Sequence, residues 1–592
     1  MASSESSNID APLRVRIHTQ CGACNHLLLP GDHLVALLCN EKSVRAYNAL
    51  TLEANGRCKL LEHENVNLCM SPKCDFCSKH GEGDESVTVH ADCFSLFGKT
   101  CTAKDKYRRL WVSGIKIYPW RNILPLELAP GRHVSSELIN SIAGFHRTFL
   151  PEVAGLIGGH LPVDHLLLRF CNVLRLAEEL SSAEITCNDA ITYPLCEILS
   201  WSRGTSPILV EHQTVNPRLR ITIDSRGIQR VERVSDRSQE TTSDVPVASY
   251  VYVVESVAQL SGVSIEFQLG MSRLQVPTSA NISIWNIPSP HNLPSTTRIM
   301  FNGKPSSGRF AALDLDPSHC TGISFFISIN KILAIHGHTA RGSHAPQAFQ
   351  HLKHLHYGGI SWIYIPIAAN DKVIGIGTRR PINGGIFYTI VLKTKSGINF
   401  IGYPYVMVKG DINQTLHITH KADDRHLTLI HEVVYNKCIS FIEADNIIET
   451  TSSITINRQH LAYMACHHYA SLEGVANAYV FTDYERRGVC NGILLEYEDG
   501  TERALGQCRL GLDPVQCYEH PTNFYYAGAK CVNRSGREYK SVRAAFDSET
   551  GLFSTHDTAE WETCQMKGVI QFSFYYRLSG IKIHDAWDPS FG

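Results

Sequence analysis

At 592 residues, with 43% hydrophobic and 19% charged side chains, the chain suits roughly three or four globular units of ~100 to 200 residues and is too apolar for a disordered or fibrous protein. Its 55 basic and 57 acidic side chains leave a formal charge of -2, which excludes a global field drawing it to nucleic acid or an anionic membrane. The first residues, MASSESSNIDAPLR, have neither a basic nor an apolar leader region, and no apolar run approaches the ~20 residues that span a bilayer. A soluble intracellular protein, cytoplasmic or nuclear and without a membrane partner, is the expectation. Twenty cysteines in such a setting favour reduced thiols and zinc over disulfides, and the sequons at Asn281, Asn413 and Asn533 then carry no glycan.

Residues 1–15 are small, polar and acidic and read as a flexible tail. A cysteine-rich module follows over 16–103. It holds Cys21-Gly22-Ala23-Cys24, then Cys69 ahead of Cys74-Asp75-Phe76-Cys77, then His90-Ala91-Asp92-Cys93. Two ligands separated by two residues can sit on one tight turn and share a tetrahedral ion, and thiolate and imidazole are the donors zinc prefers. Grouping Cys21, Cys24, His90 and Cys93 on one ion clamps the two ends of the module together. Cys69, Cys74 and Cys77 then supply three ligands of a second site, with Cys58, His63 or His80 as the fourth. One or two structural zinc ions are expected. The alternative is that these cysteines are buried small hydrophobes. A catalytic zinc would need an open position and a nearby acid or base, and neither HExxH nor the H-x-E…P-C-x-x-C pattern occurs. Gly31-Asp32 reads as a turn before an apolar strand at 33–38, and 94–97 as a cover over the site.

Residues 104–132, with Trp111, Pro119, Trp120, Pro125 and Pro130, read as an irregular connector. A helical region is expected over 133–204. In its first helix Leu138, Ile142, Phe145 and Phe149 share a face, and Pro151 ends it. In a second, beginning near Leu161, Leu166, Phe170, Val173, Leu174 and Leu180 form the apolar stripe. Two such stripes bury each other in a small bundle or form a partner groove. From 205 to 592 the pattern turns to short strands: 219–223 alternates before the turn Ser225-Arg226-Gly227, and runs follow at 250–254, 263–267, 322–329, 362–367 and 386–393. Glu498-Asp499-Gly500 joins 493–497 to 503–509 as a hairpin, because Asp-Gly suits positive backbone dihedrals. The fold class is multidomain α+β: a zinc-stabilised N-terminal module, a helical middle and a β-rich C-terminal body of one domain or two.

Candidate chemistry elsewhere is sparse. His336, His338, His344, His351, His354 and His356 crowd 336–356 without a fixed ligand spacing and read as loop histidines, as do His417, His420, His426, His431, His467 and His468. No GxSxG elbow occurs. Gly375-Ile376-Gly377 lacks a third glycine, and Gly98-Lys99-Thr100 lacks the upstream glycine of a phosphate loop. Asp314, Asp316, Asp423 and Asp424 have the spacing of turns. The basic aromatic segment 106–120 suits a docking surface better than a nucleic-acid site. No catalytic and no organic-cofactor residue is assigned.

The phrases CxxC, CDFC, VHADCF, LPEVAGLI, LCEILSWSRG, LRITIDSRGIQRVER, CTGISFFI, SWIYIPI and CNGILLEYEDGTERALGQCRLG, taken in that order, resemble a large group of uncharacterised fungal proteins; the resemblance covers most of the chain and implies a domain order. Leu150-Pro151-Glu152-Val153 with Leu156-Ile157 and 166–170 resembles an F-box, which implies a helical hairpin that docks a ubiquitin-ligase adaptor through Leu150, Pro151 and Leu156. Segments 372–403 and 492–506 resemble jacalin-like lectin repeats, which imply carbohydrate binding. The function expected from the residues is a non-catalytic, zinc-containing interaction protein with a protein or small-molecule partner. The alternatives are an accessory protein or enzyme of fungal metabolism, an F-box-like adaptor, or a lectin-like binder.

Overall fold

In the computed structural model, residues 13–586 are described apart from 40–43, 53–57, 61–65, 70–85, 135–149, 183–189, 211–216, 236–249, 291–296, 302–307, 340–344, 380–388, 403–413, 423–426, 457–464, 548–559 and shorter gaps of one to three residues. The architecture is mostly β, with few helices. The chain divides into two compact units, Met1–Pro290 and His291–Gly592. Among the described residues no helix is long and apolar enough to cross a membrane.

The first unit begins with strand β1 (Leu13–Arg16), followed by β2 (His33–Cys39), β3 (Val44–Leu52), β4 (Cys58–Leu60), β5 (Val66–Cys69) and β6 (Ser86–His90). β4, β3, β2 and β6 form one antiparallel sheet in that order, while β1 pairs with β5 in parallel. Leu34 to Leu38 are buried without a break and pack with Val87 and Val89 in one core. An uninterrupted apolar strand of this kind is covered on both faces, and each fully buried Leu or Val contributes about 1.5–3 kcal/mol.

Helix α1 (Ala91–Thr100) leaves β6 directly, and α2 (Lys106–Lys116) follows after a short turn. The expected irregular connector at 104–132 therefore starts as a helix. It buries Leu110, Val112 and Ile115, and also Arg109 and Lys116. Those two cations are not a surface patch: Arg109 binds Asp105 at 2.7 Å and the Leu180 carbonyl at 2.7 Å, and Lys116 binds Glu266 at 2.7 Å. Their alkyl stems pack while the paired charges offset part of the cost of burial, a combination that composition alone cannot show.

The helix expected at 135–149 lies outside the described residues. Pro151 opens α3 (Pro151–His160) at its first turn, where a missing N–H costs nothing. Next comes α4 (Leu166–Ser182), which buries Leu168, Cys171, Val173, Leu176, Ala177 and Leu180. Val173 and Leu180 fall on the expected stripe, whereas Leu166 is 48% exposed. Strands return at Ile191–Pro194 and Ile198–Ser202, before the expected change at 205. The strands Ile208–Leu209, Ile198–Ser202, Gly227–Val234, Arg218–Asp224, Val251–Ser256 and Ile284–Trp285 lie side by side in that order. The turn at Ser225-Arg226-Gly227 joins two of them, as its residues suggest.

In the second unit, antiparallel pairing dominates. Lys331–His338, Gly322–Ser328 and Ser361–Pro366 form one sheet; Gly397–Ile401, Thr389–Thr394, Val373–Arg379, Gln414–Ala422 and Ile447–Ile456 form another. Gly322–Ser328 and Ser361–Pro366 are buried on both faces, so they read as apolar runs rather than alternating strands. The hairpin at Asp499-Gly500 is present: Ile493 faces Leu505, Gly500 has φ +76°, and Asp499 Oδ1 accepts from the Thr501 N–H at 2.9 Å. α5 (Ala345–Leu355) is the helix described in this unit.

Candidate metal centre

The first pair of ligands sits on a tight turn that the backbone defines. The Cys21 N–H donates to the His26 carbonyl at 2.8 Å and the Asn25 N–H to the Cys21 carbonyl at 2.9 Å. Asn25 takes φ +63°, a left-handed conformation that Asn tolerates better than most residues. The Gly22 N–H then donates to the Thr88 carbonyl at 2.8 Å, fastening the turn to β6. Only glycine fits there, because a Cβ at Gly22 would lie 2.3 Å from Val87 Cγ1.

The second pair comes from the β6–α1 junction. His90 ends β6 opposite Leu34 and is the N-cap of α1, and Cys93 lies in the first helical turn. The donor atoms of Cys21, Cys24, His90 and Cys93 all lie within 4.8 Å of one another. His90 Nδ1 is 3.5 Å from Cys24 Sγ and 3.7 Å from Cys93 Sγ. A tetrahedral ion with bonds of about 2.0–2.3 Å separates its ligand atoms by roughly 3.5 Å or slightly more, so this set can hold a metal ion. All four residues are buried, the three cysteines at 0% exposure.

The charges around the donors fit that role. His90 Nε2 lies 3.3 Å from Asp32 Oδ2; a proton on Nε2 donates to this carboxylate and leaves the Nδ1 lone pair facing the sulfurs, the arrangement typical of metal-bound histidine. Burial acts to lower His90, but Asp32 and the cysteine sulfurs outweigh it and push the ring up to about 12. Burial acts to raise Cys21, yet hydrogen bonds with Cys24 and Cys93 hold it well below the ordinary thiol value. Burial raises Cys24, and hydrogen bonds with Cys21 and Cys24 drive Cys93 up. The four donors thus shift one another strongly, as closely packed titratable groups do. A dication bound here would replace the thiol protons, which is why binding to such a set releases protons. Asp32 is itself held below its usual range: burial raises it, but His90 and the Leu29 N–H, at 2.7 Å, prevail.

Several neighbours carry no motif. His26 Nδ1 donates to the Cys24 carbonyl at 3.1 Å, Asn172 Nδ2 to the same oxygen at 3.3 Å, and Arg169 Nη2 approaches Cys93 Sγ at 3.9 Å. Asp32 was legible only as a turn residue, although its place just before a strand paired with β6 is what carries it to His90. Phe94 is half-buried, and Phe97 is fully buried in the core rather than covering the site from outside.

The side chains of the other expected ligands, Cys69, Cys74 and Cys77 with Cys58, His63 and His80, lie outside the described residues. Cys69 ends β5 and Cys58 begins β4. The histidine group is not a loop: His336 and His338 lie on Lys331–His338, and His351 and His354 on α5, while His344 and His356 fall outside the described residues. His338 is buried and accepts from Ser324 Oγ at 2.7 Å, and burial, then the charge of His336, lowers it to about 3. It is a neutral core residue. His431 is likewise lowered by burial, to about 4. Asp314 and Asp316 accept from backbone N–H groups two residues on, as turn carboxylates do. Gly375 and Gly377 lie within Val373–Arg379, and Gly98-Lys99-Thr100 closes α1. Among the described residues, Cys21, Cys24, His90 and Cys93 form the one group with metal-ligand geometry. No protein-family model matches the chain, and no curated protein matches it.

Proposed function

We propose that the protein is a non-catalytic intracellular binding protein whose N-terminal module is built on a structural zinc ion held by Cys21, Cys24, His90 and Cys93, with Cys69, Cys74 and Cys77 contributing to a second. The observation that carries this reading is the closed donor set. Four buried ligand atoms lie within 4.8 Å of one another, as many donors as a closed structural zinc site uses, whereas a catalytic zinc keeps one position for water or substrate. Three sulfurs and one nitrogen also favour zinc over magnesium or calcium, which take oxygen. X-ray absorption at the zinc edge of the purified full chain should give sulfur at about 2.3 Å and nitrogen at about 2.0 Å with no oxygen. A bound oxygen, or protein isolated without zinc, would defeat it.

A second reading concerns the partner. Leu150, Leu156 and Leu166 are 66%, 63% and 48% exposed on and beside α3 and at the start of α4. Exposed apolar side chains on a short helical pair are the kind that a partner's groove can cover. With the F-box resemblance of this segment, the occupant is the adaptor subunit of a ubiquitin ligase. Leu156→Glu should reduce binding of that purified adaptor at least tenfold in calorimetry while leaving the melting temperature within about 2 °C, since exposed substitutions cost little stability. No binding by the unaltered protein sinks this reading without touching the zinc site.

A further inference from the structure

Helix α4 presents one face to the metal centre. Arg169 and Asn172, three residues apart and therefore neighbours on a helix, reach different halves of the ligand set. Arg169 Nη2 donates to both carboxylate oxygens of Asp92, at 3.0 and 3.1 Å, and lies 3.9 Å from Cys93 Sγ. Asn172 Nδ2 donates to the Cys24 carbonyl. Further along the same face, Val173, Leu176, Ala177 and Leu180 share a core with Cys21, Cys24 and Cys93. The helix thus touches the CxxC turn with one polar side chain and the HxxC junction with the next.

We propose that the metal centre is a latch for α4, with Arg169 as the positioning residue that closes it; this rests on the zinc reading above. Three thiolates, a neutral imidazole and a dication sum to one negative charge in a dry site. Such a charge needs a partner, and the Arg169 guanidinium supplies it from a helix 76 residues further along the chain than Cys93. Asp92 aims the guanidinium by accepting from the same nitrogen. Because coupling between two binding events is reciprocal, a helix that tightens zinc is itself held by zinc. Loss of the ion frees the face of α4 that the ligands engage.

The test uses the full chain. Zinc release to a colorimetric chelator is timed for the unaltered protein and for Arg169→Gln, Arg169→Lys and Arg175→Gln, and hydrogen exchange over 166–182 is measured with and without EDTA. Removing an outer partner of a metal ligand typically weakens metal binding by roughly 10- to 100-fold, so Arg169→Gln should release zinc at least tenfold faster. Arg169→Lys, which keeps the charge, should fall nearer the unaltered protein. Arg175→Gln should not differ, because Arg175 pairs with Glu179 of its own helix at 3.6 Å. EDTA should accelerate exchange across α4. Unaltered protein without zinc overturns the zinc reading. Zinc present but released at the same rate from Arg169→Gln, or α4 amides indifferent to EDTA, overturns the latch alone. Should Arg169→Gln fail to fold, the EDTA comparison on the unaltered protein still decides.

Discussion

Replacing Cys21 or Cys93 by Ser is expected to release the metal and unfold the N-terminal module while the His291–Gly592 unit keeps its structure. The magnitude follows from what the ion supplies. Structural zinc contributes about 10–16 kcal/mol of apparent binding free energy in small finger-type peptides, comparable with the ~5–15 kcal/mol total stability of a domain. A serine hydroxyl is not a thiolate, and one lost ligand leaves an incomplete donor set whose remaining thiols keep their protons instead of binding the ion. The loss also reaches the apolar core, since Cys21, Cys24 and Cys93 pack with Leu34, Val89 and Phe97. Zinc content by mass spectrometry under native conditions and limited proteolysis report the two halves of the result. Unchanged zinc in both variants would overturn the grouping of these four ligands.

The second large effect belongs to Trp362. Its indole is fully buried among Phe326 and Phe349, with ring centroids 5.1 and 5.4 Å away. Nε1 donates to Ser324 Oγ at 2.6 Å, so the Ser324 proton is free to go to His338 Nε2 at 2.7 Å. One side chain therefore fills the largest volume in its cluster and orients a buried polar chain. Trp362→Ala should cost about 3–5 kcal/mol for the cavity, with roughly 1–3 kcal/mol more where Ser324 loses its donor. By the usual scaling this lowers the melting temperature of the unit by about 10 °C or more. Trp362→Phe keeps most of the apolar volume and should cost only the smaller polar part. Equal loss in the two variants would show that the hydrogen-bonded chain, rather than packing, dominates there.

How far the sequence could be read depends on the range of the interaction concerned. Spacing along the chain identified the pairs Cys21/Cys24 and His90/Cys93, because two residues between ligands is a local geometric condition and each pair sits on a local element, a turn or a strand–helix junction; their places at the two ends of the module suggested one shared ion. The hairpin at Asp499-Gly500 was legible for the same reason. That Pro151 opens a helix was not legible, because proline is equally at home just after one helix and in the first turn of the next. The segment 106–116 was misread because Arg109 and Lys116 look solvent-facing until Asp105 and Glu266 are brought to them.

The sequence by itself thus picked out Cys21, Cys24, His90 and Cys93 among its candidate metal ligands and showed the predominance of short strands in the C-terminal half and no recognisable catalytic motif. Only the tertiary structure decided that the four donors meet in a buried site, that Asp32 lies 3.3 Å from His90 Nε2, and that Arg169 and Asn172 of a distant helix reach Cys93 and Cys24. Ligand spacing is a property of two or three neighbouring residues, whereas charge compensation in a dry site depends on which remote side chain the fold delivers. That delivery is set by the packing of Val173, Leu176 and Leu180 into the module's core, and no local pattern around Arg169 records it.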